Sequence, residues 1–365
     1  IVAARTRAEF YRFLFLLYNR VSRFSSRNRG KGFPIRAAFF VHPAQNCVEA
    51  VHFSRQYDRY FTNSTLSGRC QERTSSMKFA GIIAEYDPFH NGHAWQIAQA
   101  KARGAERVAV AMSCGLTQRG ALPLLPEEVR VRAALTCGAD VVFALPAPCA
   151  CAGAEAFARA GVRLLAAAGC DTLVFGAETP DIALLMDAAQ LLLSDGYRAA
   201  LKAELAGGAR NFAAARQAAV ETLCPGSGLA ALLEQPNNNL AVEYCKAILT
   251  QNAPLTPLSL PRQGAGHGEA LAPDAAGSFA SASALRMLWA EQGVDALRPY
   301  VPAAVFPLYQ AAFAAGRYTD FAAAGRCELA LLRAACPKAD PFGAVRGVSE
   351  GLEHRLEHAV RRAST

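Results

Sequence analysis

Two histidines three residues apart, His90 and His93, frame the tetrapeptide His90-Asn91-Gly92-His93, which follows a turn at Asp87-Pro88-Phe89. If a helix begins in this tetrapeptide, positions i and i+3 share a face, so both imidazoles reach one ligand. The unpaired backbone N–H groups and dipole of a helix N-terminus favour an anion there. Gly92 has no Cβ, which lets a nucleotide approach the backbone closely. The imidazoles add donors for phosphate oxygens, on which negative charge grows when an α-phosphate is attacked. Such chemistry needs no side-chain nucleophile. Two other readings stand beside it: an incidental pair on a surface loop, and a metal-binding pair with Glu85 and Asp87 as candidate further ligands.

The elements that must hold these residues alternate between strand and helix. Phe79-Ala80-Gly81-Ile82-Ile83-Ala84 is a short apolar run ending at Glu85, the pattern of a buried strand. A helix is expected from about Gly92 to Lys101, then a strand at Arg107–Met112. Pro126-Glu127-Glu128 opens the next helix, with proline in the first turn and acids at the positive end. Asp140–Phe143 reads as a third strand, 152–168 as a helix, and Asp171–Phe175 as a fourth strand stopped by Gly176. Residues 181–250 read as helical, Leu255–Leu260 as a returning strand, and 281–363 as helical with breaks near Pro302, Pro337 and Pro341. This order predicts an α/β fold, a doubly wound parallel sheet followed by a mainly helical C-terminal region. Ligands bind such sheets beyond the carboxyl ends of the strands. Glu85–His93, Ser113–Gly120 and Gly176–Glu178 all fall there.

Composition narrows the class further. With 52% hydrophobic and 19% charged residues, the chain is globular, and no run reaches the length of a membrane span. The net charge of +8 is unevenly placed. Residues 1–76 hold thirteen basic and four acidic side chains, a balance of +9, while 77–365 hold 25 and 26, a balance of −1. The overall charge is therefore no sign of a nucleic-acid surface on the main domain. Residues 1–76 show no sustained period and are expected to be an extension outside the native domain, with translation starting at Met77; an RNA-touching arm and a transit peptide are the other readings. The eleven cysteines include no CxxC pair and supply no four suitably spaced zinc ligands, so they build no metal site and none is expected, and free thiols suit a reducing cytoplasm.

Longer stretches carry a resemblance. The segment from Gly81 to His93 closely resembles the first motif of the tRNA(Met) cytidine acetate ligase family, nucleotidyl transferases with an HxGH motif. Met112-Ser113 to Gln118-Arg119-Gly120, Gly138 to Pro146, Cys170 to Glu178, Pro236-Asn237-Asn238, Leu260-Pro261-Arg262 with His267, and Ser281 to Arg286 are similar to its later blocks, in the same order. The resemblance runs from Met77 to about residue 360. It departs at Ser113-Cys114-Gly115-Leu116, where Ser-Gly-Asn-Phe is usual, and at Asp87 and Ala144, where Asn and Glu are usual. The family also continues into a basic helical tail beyond the point matching Thr365.

The resemblance implies a Rossmann-like ATP-binding domain over 77–290 and a helical region, apparently truncated, over 291–365. It implies that acetate attacks the α-phosphate of ATP, carried with Mg2+, to give acetyl-adenylate, and that the acetyl group passes to N4 of the wobble cytidine of elongator tRNA(Met). His90 and His93 are the implied catalytic pair. ATP is expected along Ile83, Ala84, Glu85, Tyr86, Asp87, Pro88, Phe89, His90, Asn91, Gly92, His93, Ala94, Trp95 and Gln96, and at Gly176, Asn237 and Arg262. Ser281, Ser283 and Arg286, at a helix start, would suit the outer phosphates. Asn237 and the two serines could equally be helix caps. A small-molecule adenylyltransferase of the same HxGH chemistry and an inactive RNA-binding relic are the competing functions.

Overall fold

The computed structural model describes residues 77–145, 147–208, 211–262, 279–336 and 352–363, with short pieces at 40–41, 48–49, 342, 345 and 348. Almost all of residues 1–76 therefore lie outside the described residues, as do Pro146, His267, Pro337 and Pro341.

Five strands form one parallel sheet: β1 (Phe79–Ala84), β2 (Arg107–Ser113), β3 (Val141–Leu145), β4 (Thr172–Ala177) and β5 (Thr256–Pro261). Their spatial order is β3-β2-β1-β4-β5. The chain winds outward from β1 through β2 to β3, then crosses back to β4 and β5 on the other side. The winding direction thus reverses between β1 and β4, which pair through Ala80↔Thr172 and Gly81↔Leu173. A crevice opens at such a switch point, outside the carboxyl ends of the strands.

The helices that cover the sheet are α1 (Asn91–Ala102), α2 (Glu127–Thr136), α3 (Ala154–Ala167), α4 (Ile182–Leu193), α5 (Asp195–Ala206), α6 (Phe212–Leu223), α7 (Pro236–Gln251), α8 (Ala282–Gln292) and α9 (Phe306–Ala314), with a 3-10 turn over Val294–Tyr300. Successive strand residues face opposite sides, and the two cores follow that alternation. Ala80, Ile82, Val108, Val110 and Met112 pack with α1, α2, α8 and α9. Ala109, Ala111, Leu173 and Phe175 pack with α3 through α7. Contact between α3 and β1 is close enough to exclude a side chain. A Cβ on Gly161 would stand 2.5 Å from Ile83 Cδ1 and 2.8 Å from its Cγ1.

Several boundaries shift by one or two residues from expectation, and two of the shifts have a local physical reason. The helix starts at Asn91, not Gly92, because His90 already caps it. β4 does not stop at Gly176 but runs to Ala177, since Gly176 and Ala177 pair with Leu260 and Pro261 of β5. A missing side chain costs a strand entropy but no ladder hydrogen bond.

The compact unit that holds the sheet ends at Ala315, and Gly316–Thr365 form a second. There, α10 (Phe321–Ala335) and α11 (Leu352–Arg362) bury Cys336, Phe342 and Val360 in a small core of their own. No described helix is long and apolar enough to cross a membrane. The nine described cysteines are free thiols.

Candidate active site

Where β1 ends, the chain turns sharply through Glu85–Phe89. Tyr86 takes a left-handed φ of 53°, a conformation that costs a non-glycine residue about 1–2 kcal/mol. Its buried ring meets Phe89 and His93 edge-on, each at 4.8 Å between centroids, and this packing holds the turn. The Asp87–Pro88 peptide is cis. Asp87 is 3% exposed. Its Oδ1 accepts the Leu124 N–H at 2.6 Å, and its Oδ2 pairs with Arg286 at 3.1 Å. Phe89 is buried, and its carbonyl accepts the Tyr309 hydroxyl at 2.7 Å. The turn is thereby tied to the segment before α2 and to α8 and α9.

The two histidines then cap α1 as a reciprocal pair. His90 Nδ1 accepts the Gly92 N–H at 3.0 Å, and His93 Nδ1 accepts the His90 N–H at 3.3 Å. This is the capping box geometry, built with imidazoles in place of a hydroxyl and a carboxylate. The rings stack at 3.8 Å. An imidazole that accepts at Nδ1 carries its proton on Nε2, so each ring keeps Nε2–H as a donor. Burial, then the positive charge of Arg262, push His90 down to about 3. Burial, His90 and Arg262 together hold His93 well below its ordinary value. Both rings are therefore neutral, with a defined tautomer. Gly92 meets a demand that is set within the protein: a Cβ there would lie 2.8 Å from His90 Cε1 and 3.0 Å from its Nδ1. The glycine makes room for the capping ring first.

The other side of the pocket comes from β4, β5 and α7. Arg262 follows β5, and its N–H donates to the Ala177 carbonyl at 3.1 Å. Gln96 reaches across from α1 to donate to the Val174 carbonyl at 3.2 Å. Asn237 and Asn238 stand in the first turn of α7, and the Glu178 carboxylate receives them. Its Oε2 accepts the Asn238 N–H at 2.8 Å, and its Oε1 accepts the Asn237 N–H at 3.3 Å and the Asn237 side-chain amide at 2.5 Å.

These ends enclose one pocket of about 270 Å³. Of the expected residues, Ile83, Ala84, Glu85, Tyr86, Asp87, His90, Gly92, His93, Trp95, Gln96, Gly176, Asn237 and Arg262 line it. Pro88, Phe89, Asn91 and Ala94 support the turn and helix without lining it; Asn91, for instance, donates to the Pro299 carbonyl at 3.0 Å. Ser281, Ser283 and Arg286 do not line it either. Ser281 caps α8 by accepting the Ala284 N–H at 3.2 Å, its hydroxyl lies 3.2 Å from that of Ser283, and Arg286 holds Asp87. Their neighbours Ala280 and Ala282 are the residues at the pocket wall.

Sequence reasoning placed the Ser113–Gly120 loop at a ligand-binding strand end without singling out Gln118, and it missed Phe157, Phe175, Leu240 and Tyr244; all five line the pocket. Leu240 and Tyr244 were within reach, since Asn237, Leu240 and Tyr244 recur at i, i+3 and i+7 on one face of a helix. Missed too was Arg130, which is 1% exposed. Its guanidinium donates to the carbonyls of Glu85 at 2.7 Å, Ser113 at 3.0 Å and Leu125 at 3.2 Å, joining the ends of β1 and β2.

Comparison with known proteins gives the chain a family and solved relatives. The family model of the HIGH nucleotidyl transferases matches residues 77–365. A tRNA(Met) cytidine acetate ligase of Syntrophotalea carbinolica is 41% identical over 227 residues, which are 61% of this chain and 54% of that protein. Another, of Acetivibrio thermocellus, is 33% identical over 299 residues, 79% of this chain and 71% of that protein. The crystal structure of apo Thermotoga maritima TmcAL matches with a TM-score of 0.71 at 30% identity, over 79% of this chain and 69% of that one. The same protein bound with alpha-thio ATP matches at 0.68 and 30% identity, over 79% and 68%. The chain spans about half the length of the Syntrophotalea carbinolica relative. A two-histidine cap at the switch point of a β3-β2-β1-β4-β5 sheet, and a match that runs from Met77 onward, place this chain among the HIGH nucleotidyl transferases, in the tRNA(Met) cytidine acetate ligase family.

Proposed function

We propose that this chain activates acetate with ATP, taken as its Mg2+ complex, and acetylates N4 of the wobble cytidine of elongator tRNA(Met) in the cytoplasm. The observation that carries the first step is the neutral histidine pair, whose Nδ1 atoms are held by backbone N–H groups while the rings line the pocket beside Arg262. A carboxylate oxygen of acetate attacks the α-phosphorus, the bond to the bridging oxygen breaks, and pyrophosphate leaves. Charge that builds on the α-phosphate oxygens meets two fixed Nε2–H donors, the N-terminus of α1 and the Arg262 guanidinium. Gly176 and the α7 face carrying Asn237 suit the adenosine. In the second step the cytidine amine attacks the acetyl carbonyl and AMP leaves.

The names of the relatives support the acceptor, and the alpha-thio ATP bound to the Thermotoga maritima protein supports the nucleotide. The test is pyrophosphate release with and without acetate, alongside mass spectrometry of elongator tRNA(Met) after incubation. Acetate-dependent release and acetylated cytidine are expected. Release that ignores acetate and requires a small-molecule acceptor would replace the ligase reading with that of an adenylyltransferase.

A further inference from the structure

A carboxylate is a poor neighbour for a triphosphate, yet the pocket contains two. Asp87 is fully engaged, one oxygen by the Leu124 N–H and the other by Arg286. Glu85 is not. Its Oε1 accepts the Gln118 N–H from the loop after β2, and Oε2 has no hydrogen-bond donor among the described residues. Its backbone is fixed by Arg130 on the carbonyl, so the side chain projects from an anchored point at the end of β1. The same pocket is lined by Phe157, Phe175, Leu240 and Tyr244, a mostly apolar set in which the Phe175 and Tyr244 rings lie 5.6 Å apart and Tyr244 is near enough to feel the Glu85 charge. An open anionic acceptor that shares a pocket with this set suits a planar ligand with an N–H to give.

We infer that Glu85 is the residue that meets the acceptor nucleobase: it accepts an N–H of the cytosine exocyclic amine and takes that proton as the acetyl group moves. The assignment rests on the ligase reading above and deepens it. Carboxylates accept from cytosine N4, whereas uracil presents a carbonyl oxygen at that position and would set acceptor against acceptor. The same contact therefore selects the base and serves the chemistry. In the transfer step the N4 lone pair forms the new C–N bond, the bond between the acetyl carbon and the phosphate oxygen breaks, AMP leaves with its electron pair, and the amine proton passes to Glu85. Desolvation and the nearby Asp87 charge raise the Glu85 carboxyl, while the Gln118 N–H, Arg286 and Arg119 oppose the rise. The net upward direction brings its proton affinity closer to that of a base working near neutrality.

Glu85→Gln separates the two half-reactions, because an amide oxygen still accepts the Gln118 N–H but cannot take a proton. Under single-turnover conditions, transfer from acetyl-adenylate to elongator tRNA(Met) should fall by about 10²–10⁴, at least tenfold more than any accompanying fall in acetate-dependent pyrophosphate release. Glu85→Asp, which keeps the carboxylate, should recover part of the transfer rate and guards against a misfolded amide variant. Transfer in Glu85→Gln within tenfold of wild type overturns the assignment, and so does an equal loss in both steps, which would make Glu85 a nucleotide contact. Wild-type protein that forms acetyl-adenylate yet acetylates no cytidine overturns it as well. Wild-type protein that forms no acetyl-adenylate removes the ligase reading itself, and this assignment with it.

Discussion

Two helices begin at the same edge of the sheet, and their N-termini are treated in opposite ways. At α1 the first orphan N–H groups go to neutral imidazoles, so the positive end of the helix stays uncompensated and two Nε2–H donors are added to it. At α7 they go to the carboxylate of Glu178, 59 and 60 residues away in the chain. That carboxylate cancels the local dipole and leaves little for an anion. Position at a strand end is thus not sufficient for a phosphate site. What the cap leaves unsatisfied decides it, and here the α1 cap supplies polarity while the α7 cap supplies rigidity under Asn237.

The largest effect expected from breaking this contrast is on the α1 side. His90→Ala or His93→Ala removes one donor and one capping bond, and adenylate formation should fall by about 10²–10³. ATP affinity, read by equilibrium binding, should change much less, because the donors matter most when charge has moved onto the α-phosphate. Wild-type rates in both variants would reduce the pair to a structural cap. Arg262→Ala should behave differently, losing about 1.5–3 kcal/mol of ATP affinity together with rate, as expected for a charged hydrogen-bond partner.

Gly161→Ala sharpens the contrast from behind β1. The new methyl group drives Ile83 toward the pocket, and overpacking of this kind costs about 1–3 kcal/mol of stability. Urea melts should show the loss, and ATP affinity should drop with it. Unchanged melts would mean that α3 moves aside freely. On the α7 side, Glu178→Ala should lower stability by about 1 kcal/mol, the typical value of a lost cap. The adenylation rate should change little. A rate loss matching that of the histidine variants would erase the distinction between the two helix ends.

A further expected effect is on pH dependence. His90 is pushed from 6.5 down to about 3, so in that interval the unfolded chain binds a proton that the folded pocket refuses. Its contribution to stability is therefore full above about 6.5 and shrinks as pH falls toward 3. Nitrogen-15 shifts of the ligand-free protein should report neutral, Nε2-protonated rings at pH 6. Ordinary titration near 6.5 would show that the rings are more open to water than the fold implies.

What could be read from residues alone was whatever is local in the chain. β1, the turn and the histidine pair lie within fifteen consecutive positions, and the alternation of strand and helix gave the sheet type. Gly176 could be found because it stands near the carboxyl end of a strand, where parallel sheets bind ligands, and Arg262 because Leu260-Pro261-Arg262 resembles a family block. Glu178 as a cap for α7 was not legible, because that contact needs the register of β4 against a helix some 60 residues on. Arg130 was hidden for a similar reason. Its sequence neighbours suggest a solvated helix face, whereas three carbonyls from three separate segments give it a buried place. Ser281 and Arg286 carried the right chemistry for phosphate, but the fold uses them to cap α8 and to hold the β1 turn.

That Arg130 guanidinium also governs how the molecule can come apart. It binds the carbonyl just past β1, the last carbonyl of β2 and the entry to α2 through one rigid plane, so none of the three segments can loosen without stranding buried hydrogen-bonding groups. Fraying, which normally starts at strand ends and loops, is blocked on this rim. Amides around Glu85, Ser113 and Leu125 should therefore exchange with solvent deuterium as one cooperative unit, at rates set by a shared opening and not by each segment's own exposure. The pocket wall is then among the last parts of the sheet to open.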